Sequence, residues 1–405
     1  MVQLHNQSLN HGKFLDRFNI LSGSKRGYLM DMILESRSQA ALSSVGASGY
    51  LTIDLGALRR NYKLLSEMVA PAQTAAVVKA NAYGLGADQV AQALYSQGCR
   101  HFFVAQFVEA VHLRPNLPPE AQLFVLNGLQ PGSEIRCAES RIIPVLNSLE
   151  QLQQWAGAAR RLKRTLPAVL QFDTGMSRLG VQPKKRAELS ASLREFGNVE
   201  ILFIMSHLAS ADDAGSEQNG DQLAEMNRIA DEFPGFDVCF ANSGGIFLGN
   251  AFHGVLARSG IALYGGAPTA GVANPMEAVV HLDVAVVQIQ AVQAGARIGY
   301  SGAHVAEGEM RLATLAAGYA DGLLRSLSGR GAVYYDGVRL PIVGRVSMDS
   351  MTIDISALPE GTLTLGSFVE VLGPHQTLED LARDAGTISY EILTGLGQRY
   401  HRRYR

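Results

Sequence analysis

From Tyr50 to about Gly266, short apolar runs alternate with stretches of helical periodicity, and this alternation restricts the fold more than any other feature of the chain. The runs are TAAVVKA, HFFVAQ, QLFVLNG, RIIPVLN, PAVLQFD, ILFIMSH, DVCFANS and GVLARSG. Strands joined through helices lie parallel, because each helix returns the chain to the same edge of the sheet. About eight such units in roughly 250 residues close a (β/α)8 barrel. The expected class is therefore α/β, with a TIM-like barrel over residues 49–275.

The helices between the runs have readable starts. Asp54 is a candidate N-cap before Leu58, Tyr62, Leu65 and Val69, which share one helical face. Ser148 and Gln151 have capping-box spacing ahead of Leu152, Trp155 and Ala159. Leu223, Met226, Ala230 and Phe233 form a third stripe, read like the others as core packing. After about residue 275 the period falls to two, in VVHLDVAVVQIQAV, MRLATLAAGY, GAVYYDGVRLPIV, SMTIDIS and TLTLGSFVEVLG. This predicts a mostly antiparallel β domain over 276–405, with Asp336-Gly337 as a type I′ hairpin turn. A closing helix is expected over roughly Leu378 to Leu396, then HRRYR as a solvated end. Residues 1–48, ending in SSVGASG, read as a loosely attached extension.

Composition narrows the partners. With 405 residues, 47% of them apolar and 18% charged, the chain can bury a large core. Its 35 Lys and Arg against 37 Asp and Glu leave no basic excess for nucleic acid. The longest apolar stretches are strand-length, short of the ~18 residues of a membrane span. Cys99, Cys137 and Cys239 are odd in number and far apart, which fits a reducing, cytoplasmic setting, and no CxxC pair suggests a metal. A small-molecule substrate is expected.

Barrel chemistry is built where the strands end. Lys79 ends AAVVK, Asp173 and Arg178 follow VLQF, His207 ends FIMS, Asn242 and Ser243 end VCFA, and Arg258 ends GVLA. A lysine there resists burial in its charged form, which makes its amine a usable nucleophile or base. Each residue alone is equally a snorkelling lysine or a salt-bridged arginine. The glycine-bearing segments NSGG and RSGIALYGG after the last two strands add a phosphate cradle. Lysine plus cradle points to pyridoxal phosphate.

Here the chain resembles the alanine racemase family. The resemblance is carried by AVVKANAYGLG, DTGMSRLG, SHLASADD, ANSGG, ARSGIALYGG, IGYSG, AAGYADG and PIVGRVSMD, in the family's order, from about Tyr50 to the C-terminal helix. It implies a homodimer with shared active sites that interconverts L- and D-alanine, with serine as a plausible second substrate. Lys79 would be the attachment point of pyridoxal phosphate and the base on one face of the substrate. Tyr300 of the second subunit would be the base on the other face, supported by His207 and Arg258. The family pattern further assigns Tyr83, Asn242, Ser243, Gly260, Ile261 and Tyr390 to the cofactor, mainly to its phosphate. Arg178 would contact the cofactor and the substrate. Met348 would offer an amide to the substrate carboxylate, and Tyr319 and Asp349 would line the entrance. An arginine cannot accept a proton, so Arg258 at the pyridine nitrogen implies a weak electron sink, which favours racemisation over transamination. The resemblance links the chain to D-alanine supply for peptidoglycan, while the residues leave biosynthetic and catabolic roles open.

Three positions depart from the family pattern. Gln171 stands where many relatives carry a carbamylated lysine, so Arg178 is expected to be held by the Gln171 amide or by an anion such as chloride. Leu85 and Ser347 replace a histidine and a cysteine. Two competing readings stay in view: a decarboxylase of the same architecture, and a pyridoxal phosphate homeostasis protein without turnover.

Overall fold

The computed structural model describes residues 46–405, so the expected extension falls almost entirely outside the described residues. The first strand, β1 (Gly49–Ile53), precedes eight parallel strands: β2 (Gln73–Val77), β3 (His101–Val104), β4 (Gln122–Val125), β5 (Ile143–Leu146), β6 (Leu166–Gln171), β7 (Val199–Met205), β8 (Val238–Cys239) and β9 (Leu256–Ser259). They pair in the order β8-β7-β6-β5-β4-β3-β2-β9. Bridges of Cys239 with Gly254 and of Asn242 with Arg258 join the two edges and close the barrel. The expected eight units are all present, and each polar strand end faces one rim.

The helix starts follow the sequence in two cases. Asp54 caps Leu55–Val69 by accepting from the Ala57 amide at 2.8 Å. Ser148 accepts from the Gln151 amide, while the Gln151 side chain reaches the Asn147 amide and not that of Ser148. The third stripe is rotated from its expected position. Helix Glu217–Glu232 buries Asn219, Gln222, Met226 and Ile229, and Leu223 and Ala230 are only half-buried. Two polar residues occupy the buried face because they serve loops at the barrel rim.

The second sheet contains β10 (Val280–Val292), β13 (Met310–Leu315), β14 (Ala332–Tyr335), β15 (Val338–Val343), β16 (Met351–Asp354), β17 (Phe368–Leu372) and β18 (His401–Tyr404), with a small hairpin of β11 (Arg297–Ile298) and β12 (His304–Val305) beside it. Strand β10 pairs with both β13 and β17, which closes six strands into a ring. The β14–β15 turn has φ of 47° at Asp336 and 79° at Gly337, as a type I′ turn requires.

Three expectations need correction. Strand β1 belongs to this second sheet, antiparallel to β10, and not to the barrel. Its alternating burial, with Leu51 and Ile53 inside and Tyr50 and Thr52 half-exposed, is the mark of a one-sided sheet, whereas β5 and β9 are buried at every position. The closing helix is two helices, Leu378–Ala385 and Ser389–Gly395, separated where Gly386 takes φ 71° and ends the first. The basic end is no solvated tail: β18 pairs in parallel with β1, Arg403 stacks over the Tyr50 ring at 3.4 Å, and Arg405 meets Asp54 at 3.0 Å.

Candidate active site

Strand β2 delivers Lys79 to the rim, and the backbone then does something unusual. Ala80, Asn81, Ala82 and Tyr83 have φ of 52°, 56°, 53° and 54°, a full left-handed turn without glycine. Each such residue costs roughly 1–2 kcal/mol, so the turn persists only because its surroundings over-determine it. The Ala82 amide donates to Val78 O at 2.9 Å, Gly84 to Ala80 O at 2.8 Å and Gly86 to Asn81 O at 2.9 Å. Asn81 Oδ1 accepts from the Ala87 amide at 2.8 Å. At Gly84, φ 86°, a Cβ would lie 2.6 Å from Leu393 O. The turn brings Lys79 and Tyr83 to the same cavity, of about 80 Å³.

That cavity gathers most of the expected site. Lys79, Tyr83 and Tyr390 line it together with His207, and Asn242, Ser243, Arg258, Gly260 and Ile261 complete the wall. Arg178 does not line it, although its charge reaches Lys79 and His207. Tyr300, Tyr319, Met348 and Asp349 are also absent from the wall. Tyr300 is 69% exposed, Met348 53% and Tyr319 43%. Asp349 instead pairs with Arg399 at 2.6 Å, and Arg399 also grips the buried Asp321.

Arg258 is almost fully buried and meets no carboxylate among the described residues. Nη1 donates to Cys239 O and Sγ, both at 2.9 Å, and Nη2 to Ser206 O at 2.6 Å and Phe240 O at 3.3 Å. The plain salt-bridge reading of this arginine therefore fails. Burial, reinforced by the Arg258, Arg178 and Lys79 charges, pushes the His207 imidazole down to about 3, so it is neutral at working pH. Burial also lowers the Lys79 amine, with Arg178 and Arg258 adding to the effect and Glu109 opposing it. Lys79 has no hydrogen bond or ion pair among the described residues, which leaves its amine available. Burial raises both the Tyr83 and Tyr390 hydroxyls, Tyr390 to about 12, so both remain donors.

Sequence patterns did not reveal the support for this wall. Gln222, wholly buried, accepts from the Ala209 amide at 2.8 Å and donates to His207 O and Thr174 Oγ1, both at 2.9 Å. Thr174 and Ser206 share a 2.8 Å hydroxyl contact, and Ser206 Oγ donates to Phe172 O at 2.7 Å. With that acceptor fixed, the protons run one way, from Gln222 through Thr174 to Ser206. The only signal was polarity on an otherwise apolar helix face. Asp173 is spent on its own loop, accepting from the Gly175, Met176 and Ser177 amides at 3.0–3.1 Å. Arg178 is exposed and Gln171 buried, with no hydrogen bond between them, so the amide does not hold the arginine.

The wall suits a phosphorylated pyridine aldehyde. Ser243 Oγ accepts from the Gly260 amide at 2.8 Å and the Ala262 amide at 3.3 Å, and a Cβ on Gly260 would come within 2.4 Å of the Tyr83 hydroxyl. That close approach makes a cradle of amides and hydroxyls, with no carboxylate to repel an anion. The free lysine amine and the donor-only Arg258 stand around it.

Comparison with known proteins agrees with this chemistry. The profile described as "Alanine racemase, N-terminal domain" matches residues 53–268, and that of "Alanine racemase, C-terminal domain" matches residues 279–404. A Rhizobium johnstonii protein named "Alanine racemase, catabolic" is 73% identical, covering 92% of this chain and 99% of its own length. An Agrobacterium fabrum protein of the same name is 61% identical over 93% of this chain and 96% of its own. The crystal structure of the Bartonella henselae alanine racemase, with covalently bound pyridoxal phosphate, superposes with a TM-score of 0.86 at 44% identity, covering 89% of this chain and 100% of that one.

Proposed function

The chain belongs to the alanine racemase family and catalyses the pyridoxal phosphate-dependent interconversion of L- and D-alanine; from that premise, we propose that Lys79 and Tyr300 of the partner subunit are its two bases. The decarboxylase and non-catalytic readings give way to this one. When bound, pyridoxal phosphate draws electrons from the substrate Cα and makes its proton removable. Lys79, deprotonated more readily because it is desolvated among cations, takes or returns that proton on one face. Tyr300 serves the opposite face. Ser243, Tyr83 and Tyr390, with the Ile261 amide and the close backbone approach at Gly260, would hold the phosphate. Arg258 offers only donors, which limits electron withdrawal and favours return of the proton to Cα.

One observation carries the dimer reading: Tyr300, Tyr319 and Met348 are exposed and stand outside the Lys79 cavity of their own chain. A homodimer in which residues 276–405 of one subunit face the barrel of the other would bury them and complete both sites. We place the enzyme in the cytoplasm; no helix among the described residues is long and apolar enough to cross a membrane. With no hydrogen bond between Gln171 and Arg178, an anion such as chloride is the proposed partner of that guanidinium, and activity should rise when chloride is added to chloride-free buffer. Following the two relatives named catabolic, we assign the same role here, tested by whether expression rises during growth on alanine.

The direct test is an absorbance spectrum of the purified protein with and without L- and D-alanine, paired with a chiral assay. A yellow protein that brings either enantiomer to a racemic mixture is expected. A protein that binds the cofactor but leaves L-alanine unchanged would overturn the reading.

A further inference from the structure

The left-handed turn after Lys79 is held by a residue that no motif singled out. Glu109 lies in the first turn of helix Phe107–Leu113, which follows β3. One carboxylate oxygen, Oε2, accepts from the Ala105 and Gln106 amides, both at 2.8 Å, as an ordinary helix-start acid does. The other oxygen is not needed for that purpose. It accepts from the Ala80 amide at 2.5 Å, 29 residues away in sequence and directly after Lys79. A single half-buried carboxylate thus ties two neighbouring βα junctions together at the rim.

We propose that Glu109 is a positioning residue for Lys79, fixing the first peptide of the left-handed turn so that the lysine is aimed into the cavity. The inference rests on the reading of Lys79 as a catalytic base and goes beyond it to a residue outside the cavity wall. Geometry requires two oxygens. A carboxylate can accept from Ala80 on one side and from Ala105 and Gln106 on the other, whereas an amide must turn its NH2 toward one of these donors. Asp, one methylene shorter, keeps the charge and cannot span both sites.

The charges around Lys79 give the second half of the role. It faces the cations Arg178 after β6 and Arg258 on β9, and the neutral His207 after β7. Glu109 is the one anion acting on it among these groups, and it offsets part of their effect. The uncharged Tyr83 completes the surroundings at the far end of the turn.

The test compares E109Q and E109D with the wild-type full-length chain. In holoenzyme, E109Q should lower kcat about tenfold or more with KM changed less than about threefold, because a misdirected base loses rate more than binding. In the chain freed of cofactor, the pH midpoint for acylation of Lys79, followed by mass spectrometry, should move down in E109Q. In E109D it should stay in place while kcat still falls. Wild-type kcat in either variant overturns the proposal. So does a loss of rate in E109Q without movement of the Lys79 midpoint, or a collapse of the melting temperature in both variants, since either describes a helix cap alone. If the wild-type chain itself fails to racemise alanine, the reading of the site fails; if it succeeds and E109Q equals it, only the role of Glu109 falls.

Discussion

Arg402 Nη1 donates to the carbonyl oxygen of Gly84 at 2.6 Å, so the last strand of the chain holds the far end of the turn that begins at Lys79. The Tyr404 hydroxyl does the same for Leu85 O at 2.9 Å. Each contact is worth about 1 kcal/mol, and the double variant R402A/Y404F should therefore weaken cofactor binding roughly ten- to thirtyfold. Titration of the cofactor-free chain with pyridoxal phosphate measures it. An unchanged affinity would show that the turn stands without its C-terminal support.

The proposed sharing of sites between subunits makes a prediction by mixing. Lys79→Ala and Tyr300→Phe should each be nearly inactive as homodimers. Unfolded and refolded together in equal amounts, they should recover about a quarter of wild-type activity, since half the dimers are mixed and each mixed dimer has one intact site. No recovery would mean that both residues act within one chain.

Gly260→Ala should separate binding from folding. The new Cβ would meet the Tyr83 hydroxyl at 2.4 Å and push that ring into the phosphate cradle. Cofactor affinity should fall by about tenfold or more, on the scale of two or more lost or misdirected hydrogen bonds. The melting temperature of the cofactor-free chain should hardly move.

His207 predicts a pH effect whose sign is fixed. Folding holds it neutral down to about 3, against an ordinary value of 6.5, so between those limits the unfolded chain takes up a proton that the folded chain refuses. Stability should drop as pH falls from about 6.5 toward 3, and H207Q should remove a share of that drop on the order of a few kcal/mol. Urea midpoints of the cofactor-free chains across this range are the measurement. Parallel curves would count against a buried neutral imidazole.

Gln222→Leu leaves the Ala209 amide, the His207 carbonyl and the Thr174 hydroxyl without their partner. The expected cost is about 2–4 kcal/mol in the cofactor-free chain, read as a lower denaturant midpoint at unchanged slope. A change under about 0.5 kcal/mol would place solvent in that space and deny the network its structural role.

Local pattern determined a great deal. Apolar runs of four to seven residues fixed the number of barrel strands, and the polar residue ending each run marked the rim, because side-chain burial in a strand depends on its immediate neighbours. Lys79, His207, Asn242, Ser243 and Arg258 were legible for that reason, as was the Asp336-Gly337 hairpin. Tertiary structure alone decided the rest. That β18 lies beside β1, some 350 residues earlier, depends on register between distant segments, which neither segment encodes. The left-handed path from Ala80 to Tyr83 opposes local preference and exists because Glu109, Arg402 and Tyr404 hold it. Gln222 is turned inward only by the fold, and Tyr300 is left exposed outside the Lys79 cavity of its own chain.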